Sequence, residues 1–179
     1  MAMESTRPKA LITGASAGIG EAFARHLARR GYDLVLVARR LDRLSKLAGE
    51  VATAHSIVAD VMEADLATDE GVSRVESRLR SQEFDMLVNN AGFGTFGAFV
   101  DRPLARELEE LDVNVRALMR LSHAALTSMT KRGVGAIINV ASTAAFQAIP
   151  YNATYAATKA FVLHFSEALH EEAKEHGVT

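Results

Sequence analysis

Five short apolar runs divide the chain, at residues 10–13, 34–38, 57–64, 86–88 and 136–140. Most of these runs are nearly continuous rather than alternating, which is typical of strands buried on both faces of a parallel sheet. The third run contains Asp60 and Glu63. We therefore expect five strands, with the third at the edge of the sheet.

Helical periodicity fills the segments between the runs. Thr68 stands where an N-cap is expected, directly before two acidic residues. A long helix is predicted after Pro103, and a last helix over residues 152–175, with Gly177 as its stop signal. The apolar side chains expected on one face of each of the first four helices are Ile19, Phe23 and Leu27; Leu41, Leu44 and Leu47; Val72, Val75 and Leu79; and Leu104, Leu108, Leu111, Val115, Leu118 and Leu121. This alternation predicts one doubly wound α/β domain over residues 1–179.

Composition narrows the possible functions. The chain has 179 residues, 20 Lys and Arg, 22 Asp and Glu, and a formal net charge of -2, so it offers no basic field for a nucleic acid. It has no Cys, which excludes disulfides, thiolate metal sites and Cys nucleophiles. We find no signal-peptide pattern and no apolar run long enough to cross a membrane. We expect a cytoplasmic protein with no nucleic-acid partner and no membrane partner.

Three glycines occupy the turn between the first strand and the first helix. Gly14 permits a tight turn, Gly18 leaves room for a pyrophosphate, and Gly20 allows the helix to pack closely on the strand. The free N–H groups at the start of a helix favour a diphosphate. The spacing is G-x-x-x-G-x-G, and the alternative is an ordinary glycine-containing loop. The remaining predicted cofactor contacts in the turn are Ser16, Ala17 and Ile19.

The residues after the second strand indicate which dinucleotide is bound. An acidic side chain here would accept hydrogen bonds from the ribose of NAD, but Ala38 occupies that position. Arg39 carries a guanidinium suited to a 2′-phosphate, and Arg40 could assist it. The alternative is a basic helix start on a solvated surface. We expect NADP(H) in preference to NAD(H).

Four further motifs follow the glycine turn in order. They are Asn89-Asn90-Ala91-Gly92 after the fourth strand, Asn114 in the long helix, Ser142 after the fifth strand, and Tyr155 with Lys159 in the last helix. Together with the turn, these motifs resemble the short-chain dehydrogenase/reductase family over essentially the whole chain. The resemblance implies a Rossmann fold, a nicotinamide cofactor and a homodimer or homotetramer. It also implies that the last strands of the usual sheet are missing, as though the chain were truncated.

The resemblance assigns roles to individual positions. It implies that Ser142, Tyr155, Lys159 and Asn114 are catalytic, with Tyr155 as general acid/base. Asn89 is expected to support the sheet, and Asp60-Val61 competes with Asp65-Leu66 for contact with the adenine. No metal site is expected. The implied cofactor contacts beyond the glycine turn are Arg39, Arg40, Asp65, Leu66, Asn90, Ala91, Gly92, Tyr155 and Lys159.

The chemistry of the Tyr155 and Lys159 pair suits carbonyl reduction. A free phenol ionises only near pH ~10, so it needs help to exchange a proton at neutral pH. Lys159 lies one helical turn after Tyr155, which places its ammonium on the same face. Ser142 would bond the substrate oxygen, and Asn114 could hold a water that relays protons from Lys159. Each residue taken alone also has a structural interpretation. Tyr155 and Lys159 could be a solvated pair on a helix, Ser142 a strand-end cap, and Asn114 a polar residue in a helix.

Two functions remain open at this point. The first is an oxidoreductase that transfers a hydride between NADP(H) and a carbonyl or secondary alcohol. The second is a cofactor-binding module or fragment without turnover, because the expected substrate region is absent. The apolar residues Phe93, Phe96, Phe99, Phe146, Ile149 and Pro150 are expected around the substrate. Leu118 and Leu121, with Phe161 and Phe165, are candidates for an oligomer contact, or for packing on their own sheet.

Overall fold

A computed structural model describes residues 7–179 of the chain. Its centre is a sheet of five strands in the order β3-β2-β1-β4-β5, and every neighbouring pair is parallel. The strands are β1 (Lys9–Thr13), β2 (Asp33–Ala38), β3 (Ala59–Glu63), β4 (Met86–Asn89) and β5 (Ala136–Asn139). The predicted parallel α/β sheet is confirmed.

Helices cover both faces of this sheet. They are α1 (Gly18–Arg29), α2 (Leu41–His55), α3 (Asp69–Ser81), α4 (Leu104–Leu111), α5 (Leu118–Arg132) and α6 (Ala153–Ala173). One apolar core lies between the sheet and α1 and α2, and the other between the sheet and α3 and α5. The fold is therefore doubly wound, and the carboxyl ends of all five strands meet along one edge.

Most predicted elements are confirmed, and local differences occur in the third strand and in α1. Thr68 caps α3 through its Oγ1, which accepts a hydrogen bond from Gly71 N at 3.1 Å. The third strand lies at the sheet edge but is shorter than predicted. The predicted apolar face of α1 is partly wrong, because Ile19 is 59% exposed and small residues such as Ala24 pack on the sheet instead.

The long helix after Pro103 is interrupted by a turn of π-helix at Asp112–Ala117. A π turn adds a residue and so rotates the following face of the helix relative to the preceding one. Before the turn, Leu104, Leu108 and Leu111 are exposed, whereas Leu118 and Leu121 after it are buried in the core. The prediction of one continuous apolar face is therefore wrong.

The burial of Leu118 and Leu121 also decides one of the predicted oligomer contacts. Both side chains are buried, and Leu121 belongs to the apolar core on that face of the sheet, so they are not available to a second copy. For Leu121 this outcome matches the alternative that it packs on its own sheet. Phe161 is 37% exposed and stacks on Phe165, with 5.4 Å between ring centroids.

The last described residues begin to pair beside β5. Val178 forms a parallel bridge with Gly135, and Ile137 N donates to Thr179 O at 2.8 Å. Residues 178 and 179 therefore lie parallel to the start of β5 and extend the hydrogen bonding of the sheet. Within residues 7–179, no helix combines the length and the apolar character needed to cross a membrane.

Candidate active site

The glycine turn after β1 is built by close packing. Gly14 has a φ of +65°, and a Cβ on it would lie 2.8 Å from Asn90 Nδ2. A Cβ on Gly20 would lie 2.4 Å from Gly14 O, closer than real Cβ contacts allow. Gly18 differs, because its φ is +58° and a Cβ there would meet no described atom within 4 Å. Gly14 and Gly20 therefore serve packing, whereas Gly18 keeps an open surface clear.

Residues at the end of β4 hold this turn in place. Asn90 Nδ2 donates to Thr13 O at 3.0 Å and to Gly14 O at 3.2 Å. Thr13 Oγ1 in turn accepts from Asn90 N and from Ala91 N, both at 3.0 Å. Asn89 is 3% exposed and bonds Ser122 and Asn139, as its expected role in supporting the sheet implies.

A cavity of about 740 Å³ runs along the carboxyl ends of the strands. It brings together residues from the glycine turn, the β2–α2 junction, the β4 end and α6. Gly18, Gly20, Asn114 and Ser142 are not among the lining residues. The predicted site residues that line it are Gly14, Ser16, Ala17, Ile19, Arg39, Arg40, Asp65, Leu66, Asn90, Ala91, Gly92, Tyr155 and Lys159.

The basic end of the cavity lies between the glycine turn and α2. Arg40 donates from Nη2 to Ser16 Oγ at 3.0 Å and from Nε at 3.3 Å. The Arg39 side chain is 62% exposed, with its Nη1 3.9 Å from Glu109 Oε1. Two guanidinium groups therefore border this end, and one of them is largely free to meet an anion.

The two competing alignments for the adenine contact separate in the structure. Asp65 and Leu66 line the cavity, and Asp65 Oδ1 accepts from Ala67 N at 3.0 Å. Asp60 instead forms an ion pair with Arg78 at 2.6 Å, and Val61 is on the exposed edge strand. Asp65 and Leu66 are therefore accessible to a ligand in the cavity, whereas Asp60 and Val61 are not among its lining residues, and the adenine contact stays a prediction.

Tyr155 and Lys159 lie at the opposite end of the cavity. Lys159 is 6% exposed, its Nζ donates to Val140 O at 2.7 Å, and it lies 5.7 Å from the centroid of the Tyr155 ring. Burial lowers the pKa of Lys159, and the negative charge of Glu110 acts in the opposite direction. A Cβ on Gly94 would lie 2.8 Å from Tyr155 Cδ2, so the loop before α4 fits closely against the phenol ring.

Asn114 lies in the π turn and is 1% exposed. Its Oδ1 accepts from Phe93 N at 3.1 Å, and its Nδ2 donates to Phe93 O at 2.8 Å and to Thr158 Oγ1 at 3.1 Å. The amide therefore joins the cavity loop to α6. The predicted role of Asn114 in holding a relay water stays a prediction.

Ser142 follows β5 and caps a short helical turn at Thr143–Phe146. Its Oγ accepts a hydrogen bond from Ala144 N at 3.2 Å. A hydroxyl that accepts one bond still has its own hydrogen to donate. Ser142 therefore forms the strand-end cap that was its structural alternative. The hydroxyl hydrogen of Ser142 stays available as a donor.

Two buried carboxylates beside the site were missed by the sequence analysis. Glu107 is 4% exposed and accepts hydrogen bonds from the hydroxyls of Thr95 and Thr154. Glu110 is fully buried, and its Oε2 accepts from Thr95 N at 2.9 Å. Their spacing of three residues, which places both carboxylates on one side of α4, was the available signal. Among the described residues, no group of three or more His, Asp or Glu could hold a metal ion.

The comparison with known proteins decides the family. Residues 8–179 match the family described as short chain dehydrogenase. The chain belongs to this family. The short-chain dehydrogenase fold also accounts for the parallel sheet and for the arrangement of the motifs along its edge.

Curated short-chain dehydrogenase relatives resemble the chain over most of its length. It is 33% identical over 174 residues to a very-long-chain 3-oxoacyl-CoA reductase from Anas platyrhynchos, which covers 94% of this chain and 56% of that protein. It is 35% identical to the protein of that name from Coprinopsis cinerea, covering 51% of it. The chain thus spans about half the length of the curated relatives it matches.

Solved structures of short-chain dehydrogenases are also similar. A bulky-bulky ketone specific alcohol dehydrogenase from Comamonas testosteroni has a TM-score of 0.93 and 39% identity, with 96% of this chain and 68% of that chain covered. A short-chain dehydrogenase from Sphingobium yanoikuyae in complex with NADPH has the same scores and coverage. L-sorbose reductase from Gluconobacter frateurii, complexed with NADPH and L-sorbose, has a TM-score of 0.89 and 36% identity, with 99% and 68% covered.

Proposed function

We propose that the protein containing this chain is an NADP(H)-dependent oxidoreductase that interconverts a carbonyl and a secondary alcohol, with Tyr155 as general acid/base. The observation that carries the proposal is that Tyr155 and Lys159 line the same cavity as the glycine turn. Membership of the short-chain dehydrogenase family and the NADPH complexes of its relatives support it.

The residues of the cavity fit a phosphorylated dinucleotide. Gly18 leaves open space at the start of α1, where free N–H groups favour a diphosphate. Arg39 and Arg40 supply positive charge beside this turn, which suits a 2′-phosphate better than a bare ribose. Asp65 and Leu66 are available to the adenine. The cavity then continues to Tyr155, so one elongated ligand can contact both ends.

The side chains at the far end supply proton transfer and orientation. NADP(H), when bound, supplies the hydride or accepts it. In the direction of reduction, Tyr155 Oη donates its proton to the oxygen of the substrate carbonyl as that oxygen gains negative charge. The Lys159 ammonium stabilises the phenolate that results, because the two groups lie together in a sheltered site. Ser142 has a donor hydrogen left for the same substrate oxygen.

Apolar walls near Tyr155 favour a bulky, apolar carbonyl substrate. Phe93 and Phe96 line the cavity, and Phe96 is 73% exposed beside the Tyr151 ring. Phe99 and Phe146, also expected around the substrate, are exposed but not among the lining residues. The names of the similar proteins, which concern bulky ketones and 3-oxoacyl-CoA, agree with a large substrate.

The alternative is cofactor binding without turnover. It is favoured by one observation, namely that this chain covers only 56% of the first curated relative. Under that alternative, the 179-residue chain binds NADPH and reduces none of the ketones tested. The homo-oligomer and the cytoplasmic location stay predictions.

The test is the oxidation of NADPH by the protein with a panel of aliphatic and aromatic ketones, monitored through the absorbance of the reduced nicotinamide. We expect turnover in the wild type, and a loss of about a hundredfold to ten-thousandfold in Tyr155→Phe with NADPH affinity retained. Tyr151→Phe is the matched control, because Tyr151 is exposed and does not line the cavity. Equal turnover in both variants would refute the role of Tyr155.

A further inference from the structure

Glu110 is the most deeply buried charged residue near the site. It is 0% exposed, on the last turn of α4 before the π turn. Its Oε2 accepts from Thr95 N, whereas its buried Oε1 has no hydrogen-bond partner among the described residues. A buried carboxylate with one oxygen left over is costly unless it has a function or a compensating charge.

The surroundings of Glu110 connect it to the end of the cavity that holds Tyr155. Thr95, which it bonds, lines the cavity. Asn114, in the turn that follows, is bonded to Thr158, the residue before Lys159. A Cβ on Gly92 would lie 2.9 Å from Asn114 Oδ1 and 3.6 Å from Lys159 Nζ, so these two groups border the same space. Glu110 is therefore linked to the surroundings of Lys159 through Thr95 in the cavity wall and through the helix that carries Asn114.

We propose that Glu110 is a positioning residue of this site: its buried carboxylate holds the cavity wall at Thr95 and places a negative charge behind the Lys159 ammonium. This inference rests on the proposed function, since it assigns Glu110 a role in the proton chemistry of Tyr155 and Lys159. Burial lowers the pKa of Lys159, and the charge of Glu110 is the influence that raises it. The ammonium that stabilises the Tyr155 phenolate is thus itself maintained by Glu110.

The other charged groups near Glu110 do not replace it. Glu107 and Arg106 face it from its own helix, and their charges act in opposite directions on the pKa of Glu110. Burial raises that pKa, while the bonds from Thr95 lower it. The loop at residues 90–98 contains no ionisable side chain, and α6 contributes Lys159 and Tyr155.

Glu107 offers a matched control. It is buried on the same helix and bonds the same loop residue through Thr95 Oγ1, but it is not among the groups that influence the pKa of Lys159. Glu107→Gln and Glu110→Gln each remove one buried charge beside Thr95. Only Glu110→Gln removes the charge that supports the ammonium.

The experiment follows the ionisation of Lys159 by the NMR shift of its Cε, assigned with Lys159→Arg. Removal of a nearby negative charge disfavours the charged form of an amine. We expect the Lys159 midpoint to move to lower pH in Glu110→Gln and to stay in place in Glu107→Gln. The alkaline limb of kcat/KM should move in the same direction.

Two results would overturn the inference: an unchanged Lys159 midpoint in Glu110→Gln, or equal shifts in both variants, which would mean a general effect of the loop. If Glu110→Gln does not fold, Glu110→Met, which places no polar side chain at position 110, carries the same comparison. The NMR titration needs no turnover. An inactive wild type with a shifted midpoint would therefore reject the proposed function but retain the electrostatic role of Glu110.

Discussion

The last two glycines of the turn, Gly18 and Gly20, are expected to respond differently when each is changed to alanine. Gly18→Ala adds a methyl group to open space, and Gly20→Ala adds one to a packed contact between α1 and β1. The first change should leave a folded protein that binds NADPH poorly. The second should destabilise the protein itself. The same methyl group, two residues apart, thus separates the cofactor contact from the packing contact.

The magnitudes follow from the local geometry. At Gly20 the new Cβ would lie 2.4 Å from Gly14 O and 2.5 Å from Asn90 Nδ2, so the helix must move away from the strand. Overpacking of this kind costs about 3 kcal/mol. At Gly18 no described atom lies within 4 Å, but the φ of +58° costs an alanine about 1 kcal/mol. We expect the Gly18→Ala protein to lose at least about tenfold in NADPH affinity, since its Cβ blocks the approach of a diphosphate.

Urea unfolding gives the free energy of unfolding of each variant, and calorimetric titration gives its NADPH affinity. Both are measured against the wild-type chain. Wild-type affinity in Gly18→Ala would refute the placement of the diphosphate over this glycine. A Gly20→Ala protein as stable as the wild type would refute the packing argument.

The remaining predictions concern specificity, the loop and pH. Arg39→Asp should reverse the preference for NADPH over NADH in parallel titrations, and equal ratios before and after the change would contradict the 2′-phosphate assignment. Asn114→Ala leaves the N–H and C=O of Phe93 and the Thr158 hydroxyl without their partner, and should lower the free energy of unfolding by about 1 to 3 kcal/mol; a change close to zero in urea unfolding would contradict this. Burial raises the pKa of Glu110 in the folded state above its ordinary value of 4.5. Between these two pKa values the folded state holds a proton that the unfolded state has released, so the free energy of unfolding increases as the pH falls through this range. Urea unfolding of Glu110→Gln over the same range should lack this increase, and a pH dependence identical to that of the wild type would contradict the prediction.

The sheet, and the end of the cavity that lies beside the glycine turn, could be predicted from local patterns. Strands buried on both faces appear as continuous apolar runs, and four of the five predicted strands lie close to their expected bounds. The glycine turn needs glycine at fixed positions, because a Cβ on Gly14 or Gly20 would lie too close to neighbouring backbone and side-chain atoms. Such requirements are visible in the sequence.

The long helix shows what local patterns could not give. Its leucines predicted a buried face, but Leu104 and Leu108 are exposed, while Glu107 and Glu110 are buried. The carboxylates are accommodated by Thr95 and Thr154, which both lie outside α4. The π turn that changes the buried face between Leu111 and Leu118 has no periodic signature either. Burial here depends on tertiary partners and not on the periodicity of the helix itself.

Transfer of deuterium from NADPH that carries deuterium at both C4 positions of the nicotinamide tests the central claim most directly. A bulky ketone is incubated with the protein and this cofactor, and the alcohol product is analysed by mass spectrometry. We predict one deuterium on the carbinol carbon with the wild type and with Tyr151→Phe, and only background product with Tyr155→Phe. An alcohol without deuterium, or equal labelled product from Tyr155→Phe and the wild type, would contradict hydride transfer assisted by Tyr155.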